Sequence, residues 1–294
     1  MPLDVLEPFH YDFFRHGLIA AALVGALCGL MGVYIVLRRM SYIGHGLSHA
    51  VFGGAVVSHL MGWNFYIGAG LWGFLSALLI DAAARRRRIG SDAAIGIITT
   101  SSFALGVALI SRGRGFTRNF EAALFGNILG VTAADLWVIG TVAVAVAVFV
   151  FFAYKQLLFA TFDPEVAPVY GVPSRLIDAL FSLALAATIV ASMNVVGVTL
   201  IAATIVIPPV TARLLSDRFS RVLLGSSALG AGIGVAGMYL SYHFNIASGA
   251  SIVLLGAAVF MLALTYSATR RRSLPALAMR TARPASPPAP ELLD

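Results

Sequence analysis

His45 and His49 are the side chains in this sequence whose type and spacing point most directly to chemistry. They lie in Ser41-Tyr42-Ile43-Gly44-His45-Gly46-Leu47-Ser48-His49-Ala50, just after an apolar stretch and the pair Arg38-Arg39. Residues four apart share one face of a helix. An imidazole at membrane depth loses its water and needs a partner, and two neutral imidazoles on one face suit a transition metal ion. The competing reading satisfies each ring with a backbone carbonyl or a hydroxyl such as Ser41 or Ser48. Gly44 and Gly46 permit close helix approach or local unwinding beside the pair, which favours a metal-contacting role.

Glu121 is the carboxylate best placed to complete such a site, since its neighbours are apolar; as a helix-terminal acid it could equally pair with Arg118. His59 and His243 read as interfacial residues. Asp92 follows Gly90-Ser91 and reads as a first-turn helix acid. Asn194, Thr199 and Thr204 could line a pathway or simply hydrogen-bond between helices. Pro208 and Pro209 remove backbone donors and predict a kink, with gating or bundle shape as its use. Cys28 reads as a packing residue, because a lone cysteine supports neither a disulfide nor a thiolate site within one chain.

Enzymatic motifs are missing. There is no Walker A loop or plausible catalytic triad, and Gly46 stands where a zincin helix carries its general-base glutamate. Permanently bound cofactors are not expected.

The elements that hold these residues follow from composition. The 294 residues are 59% hydrophobic and 11% charged, with a mean hydropathy of +0.90. So little charge cannot cover a water-facing surface of this size, which makes the chain a polytopic protein of the cell membrane. The net charge of +7 gathers in short arginine clusters at the ends of apolar runs. That is the positive-inside pattern rather than a nucleic-acid face.

Apolar stretches cover about nine spans: 17–37, 42–60, 65–84, 93–111, 135–154, 176–194, 195–214, 222–243 and 248–268. Eight or ten remain open, because no polar loop separates Asn194 from Val195 and the 195–214 stretch reads as bent or broken. The expected class is all-α, a transmembrane helical bundle over 17–268. Residues 1–16 are expected outside and 269–294 as a disordered cytoplasmic tail, rich in Pro, Ala and Ser. Arg112, Arg114 and Arg118 run against the charge rule. The segment Phe120 to Gly130 reads as a short helix that re-enters or lies against the bundle. Residues 155–178 form a cytoplasmic loop. Within it Asp163, Pro164, Glu165, Tyr170 and Gly171 outline a very short capped helix: an acid before a first-turn proline and a glycine stop.

These residues, taken in order, resemble the membrane permeases of ABC importers for zinc, manganese and iron. The likeness rests on Leu37-Arg38-Arg39-Met40-Ser41 leading into Gly44-x-x-Leu47-Ser48-His49-Ala50, on Asp92-Ala93-Ala94-Ile95-Gly96-Ile97 and on Leu124-Phe125-Gly126-Asn127-Ile128-Leu129. It continues through Phe162-Asp163-Pro164-Glu165, Val196-Gly197-Val198 and Ile207-Pro208-Pro209-x-x-Ala212-Arg213-Leu214. The resemblance implies a homodimer, a cytoplasmic ATPase subunit on each permease, an extracytoplasmic metal-binding protein, and residues 163–171 as the helix that docks into the ATPase. ATP hydrolysis would then sit on the partner.

Many members carry an acid where this chain has His45. Imidazole in place of a carboxylate favours zinc or later ions over manganese, while the delivering protein decides which ion arrives. Zinc and manganese stay close, with iron third. The rivals are a proton-coupled secondary metal carrier, which would need intramembrane carboxylates that are scarce here, and an intramembrane enzyme.

Overall fold

The computed structural model describes residues 7–84, 91–112 and 124–273. Among them are ten α-helices: α1 (Asp12–Leu37), α2 (Ser41–Leu60), α3 (Phe65–Ala84), α4 (Ser91–Arg112), α5 (Ala133–Phe152), α6 (Tyr154–Phe162), α7 (Ser174–Val196), α8 (Ile201–Leu215), α9 (Phe219–Phe244) and α10 (Ser248–Ser273). No strand occurs among the described residues. The all-α bundle expected from apolar run lengths is therefore the architecture.

Seven helices, α1, α3, α4, α5, α7, α9 and α10, are long and apolar enough to cross a membrane. The two remaining expected spans are helices of another kind. α2 has the length, at 20 residues, but Ser, His and Gly dilute its apolar character, and α8 has only 15 residues. The stretch read as 195–214 is indeed broken: α7 ends at Val196, Gly197 takes φ +85°, and a helix resumes only at Ile201. Arg85 to Arg88, Arg114, Arg118, Glu121 and the tail beyond 273 lie outside the described residues.

α1 is the central post. Small residues at intervals of four, Ala21, Gly25 and Gly29, meet Gly234, Gly230 and Ser226 on α9. Gly25 and Gly230 face each other so closely that a Cβ on either would fall on the other's carbonyl, and Gly29 and Gly234 similarly abut the backbones of Ser226 and Ala21. The Ser226 hydroxyl donates to the Gly29 carbonyl at 2.7 Å. Lipid tails are as apolar as leucine, so van der Waals contact between backbones is what holds such helices together. Gly25→Leu is therefore expected to destabilise the solubilised protein by at least about 3 kcal/mol, because overpacking here strikes backbone rather than a side chain that can move. Gly232→Leu, whose Cβ points into open space, should be tolerated. Thermal unfolding of the two purified variants checks this, and equal midpoints would contradict the packing.

At the opposite end of α1, Arg38 binds two elements of the 155–178 region. Its Nε donates to Thr161 Oγ1 at 3.1 Å and one terminal nitrogen to Asp178 Oδ1 at 2.9 Å. Its guanidinium lies 4.5 Å from the centre of the Phe181 ring. Arg38 thus anchors α6 and the start of α7 to the α1–α2 corner.

That region was expected to be loop up to a short helix at 163–171. Instead α6 fills its first part, with Leu157 and Ala160 buried. Residues 163–171 are consecutive turns rather than a regular helix. Pro168 in mid-segment has no N–H to continue the ladder. The glycine stop is as expected: Gly171 takes φ +75°, Val172 N–H reaches Ala167 O and Gly171 N–H reaches Pro168 O, both at 3.1 Å. This is the paired ending of a helical turn closed by a left-handed glycine.

Candidate functional site

α2 carries the histidine pair beside the break between α7 and α8. The α2 backbone buries Gly44, Gly46, Leu47 and Ser48 and leaves His45 and His49 half-exposed on one face. Gly46 lets α4 approach: a Cβ there would press on Ile95 and Thr99. Ser48 ties the turn down, its hydroxyl lying 2.7 Å from His45 O and 3.0 Å from Val198 O. The hydroxyl is thereby engaged with backbone, not with an imidazole, so Ser48 is the partner of neither ring.

The two imidazoles meet each other. Nε2 of His49 stands 3.2 Å from Nε2 of His45, with the rings at 88° and centroids 4.5 Å apart. Phe103 of α4 walls His49 at 4.8 Å and Tyr42 lies 5.7 Å from His45. Nδ1 of His49 is buried with no hydrogen-bond partner among the described residues. Two nitrogens each about 2.1 Å from one ion stand about 3.0 Å apart at a right angle and about 3.4 Å apart at the tetrahedral angle. The observed separation lies between, so small ring rotations would turn both Nε2 atoms onto one cation. Among the described residues no group of three His, Cys, Asp or Glu side chains forms a metal cluster. Among the described residues the pair thus offers two nitrogen donors.

The break beside it is irregular backbone whose polar groups are nevertheless satisfied, as burial in a membrane bundle requires. Leu124 O accepts from Thr199 N–H at 3.2 Å and from Thr199 Oγ1 at 2.8 Å. Asn127 N–H donates to Asn194 O at 2.9 Å. Gly126, at φ +81°, opposes Gly197, and a Cβ on either would overlap the other strand's backbone. Residues 124–130 thus lie against the bundle, the described part of the segment expected to do so. Glu121, three residues upstream, falls outside the described residues.

Asn194 and Thr199 are brought to this break. The side chain of Thr199 is committed to Leu124 O. The Asn194 amide donates to the Tyr66 hydroxyl at 2.9 Å, and Tyr66 donates to Asp135 Oδ1 at 2.6 Å. Asp135 also caps α5 reciprocally with Thr132. This three-helix polar cluster was missed among the sequence candidates, although Thr132-x-x-Asp135 before an apolar run is a legible capping signature.

Pro208 and Pro209 leave α8 unbroken from Ile201 to Leu215. The carbonyl of Ile205, which Pro209 cannot satisfy, faces Gly32 of α1, where a Cβ would collide with it. Thr204 and Cys28 are buried together, 3.9 Å apart, with Ser192 3.6 Å from the thiol, which agrees with packing. Asp92 sits exposed in the first turn of α4. His59 ends α2. Nδ1 of His243 lies 3.1 Å from Tyr239 O, its ring beside those of Tyr239 and Tyr242. Asp163, Pro164, Glu165, Tyr170 and Gly171 are all exposed. Val169 and Tyr170 are 83% and 71% exposed.

Comparison with known proteins identifies the family. A manganese transport system membrane protein, MntC, from Halalkalibacterium halodurans is 39% identical over 87% of this chain and 88% of its own. A manganese import system permease protein, ScaB, from Streptococcus gordonii is 40% identical over 87% and 91%. Other relatives carry manganese or iron transport names. The solved PsaBC from Streptococcus pneumoniae in complex with Fab superposes with a TM-score of 0.81 at 35% identity, covering 90% of this chain and 95% of that one. The profile of the ABC 3 transport family matches residues 10–267, almost the whole bundle with its histidine pair and broken helix, and the chain belongs to that family.

Proposed function

We propose that this chain is the permease subunit of an ATP-driven importer whose cargo is manganese, with His45 and His49 as transient ligands on its path. The observation that carries the reading is the pair of Nε2 atoms 3.2 Å apart on a half-exposed face of α2. Two protein donors leave the remaining coordination positions to water, to Glu121 or to a second copy of the chain. Because the histidine face opens at the protomer surface, a homodimer would close the path around the ion. The exposed turns 163–171 present Tyr170 and Glu165 to an ATPase subunit, which hydrolyses ATP, while an extracytoplasmic binding protein delivers the metal. The manganese names of the relatives support that cargo. Two nitrogen donors in place of a nitrogen and an oxygen favour zinc, so zinc is the second reading.

The test is uptake of manganese, zinc and iron by the permease reconstituted with its ATPase, with ATP, without it, and under a proton gradient alone. Uptake is expected only with ATP, and manganese is expected to saturate it at the lowest concentration. Gradient-driven uptake without ATP would make the protein a secondary carrier, and lower half-saturation by zinc would reassign the cargo.

A further inference from the structure

We infer that the face formed by α8, α9 and α10 binds an anionic phospholipid, with the headgroup on Arg213 and Arg221 and one acyl chain laid along α9. Two adjoining grooves, one apolar and one mixed, carry this. The first, about 560 Å³, is apolar: Gly225, Ala228, Gly232 and Ala236 of α9 form its floor, and Leu255 and Val259 of α10 one wall. Arg221 closes one end. The second, about 770 Å³, is mixed: Arg213, Ser216, Asp217 and Ser267 line it together with Val210, Leu214 and Leu264. Leu215 and Ser216 line both, so the apolar trough opens directly into a mouth that carries charge.

An amphiphile fits such a site at both ends. From Arg221 to Ala236 the floor runs about 22 Å along the helix, enough to lay an acyl chain across one leaflet of about 15 Å. Gly225, Ala228, Gly232 and Ala236 carry at most a methyl group, and Leu229 and Ile233 of the same helix flank them. The space over Gly232 is open: a Cβ built there meets nothing within 4 Å.

Charge selects the headgroup. Arg213, Arg218 and Arg221 are exposed around the mouth, and among the described residues none of them has a carboxylate within ion-pair distance. Asp217 is the single acid lining the two grooves, against Arg213 and Arg221, which leaves one net positive charge. These arginines belong to the clusters that the charge rule places on the cytoplasmic side, where anionic lipids concentrate and basic pockets between helices hold their headgroups. The inference is independent of which ion is carried.

Native mass spectrometry of the permease released from membranes containing phosphatidylglycerol and phosphatidylcholine tests it. Wild type is expected to retain phosphatidylglycerol. Each arginine replaced should lower retention about fivefold, so Arg213→Gln with Arg221→Gln should nearly abolish it, with phosphatidylcholine unaffected. Gly232→Leu, which fills the trough and leaves the arginines, should displace both lipids. Equal phosphatidylglycerol retention by wild type and both variants, or none by wild type, overturns the inference. So does efficient disulfide crosslinking of two copies through Ala228→Cys in the membrane, which would make this face an interface between copies.

Discussion

His49→Ala is expected to lower metal uptake at limiting metal by at least about tenfold, a loss of roughly 1.4 kcal/mol or more in ion binding, while the permease still folds and assembles. The change removes one of the two imidazole nitrogens proposed to hold the ion, and the half-exposed ring stabilises little by burial. His45→Asp should behave oppositely. It retains uptake, because it exchanges one donor for another, and it shifts preference from zinc toward manganese, because a carboxylate oxygen is the harder ligand. Binding through imidazole needs the neutral ring, so protons compete with the ion and uptake should be lower in acid. The measurement is uptake of zinc and manganese across pH for wild type and both variants, with expression checked first. Full activity of His49→Ala, or an unchanged zinc-to-manganese ratio in His45→Asp, would assign these rings to packing.

The second large effect concerns the ATPase contact. Glu165→Arg combined with Tyr170→Arg should reduce recovery of the ATPase on immobilised permease by about thirtyfold or more, the scale of losing one aromatic anchor worth about 2 kcal/mol. Folding should be unaffected, since both side chains are exposed and Tyr170 makes only an open ring contact with Phe159 at 5.8 Å. The rigidity behind the surface comes from elsewhere: Ala167 is fully buried, and Arg38 holds α6 and α7 to the corner from which the histidine helix departs. A force on residues 163–171 therefore has a short covalent and hydrogen-bonded route to α2. Undiminished ATPase capture with normal transport would remove the coupling role from this segment.

The seven crossings were legible in the sequence because a run of about twenty apolar residues is a local property. So was the shared face of His45 and His49, fixed by helix periodicity, and so was the glycine stop at Gly171. Where reading from sequence fell short, the cause was local too. Pro168 turned an expected helix into turns, and α6 was hidden by Lys155 and Gln156 at its start, although Leu157 to Phe162 is mostly apolar. Glu121 stays an expectation, outside the described residues.

What only the tertiary structure decided are the pairings across long separations. Residues 124–127 fasten the α7–α8 break, Ser48 reaches Val198, and Tyr66 joins Asp135 to Asn194. No local pattern specifies these. In a bilayer the hydrophobic effect does not choose among apolar faces, so the choice falls to how closely small residues let backbones approach and to which polar groups must be satisfied on arrival. Sequence spacing put two imidazoles on one face. The packing of α4 and the α7–α8 break against α2 decided that this face holds two nitrogens 3.2 Å apart with one side left open.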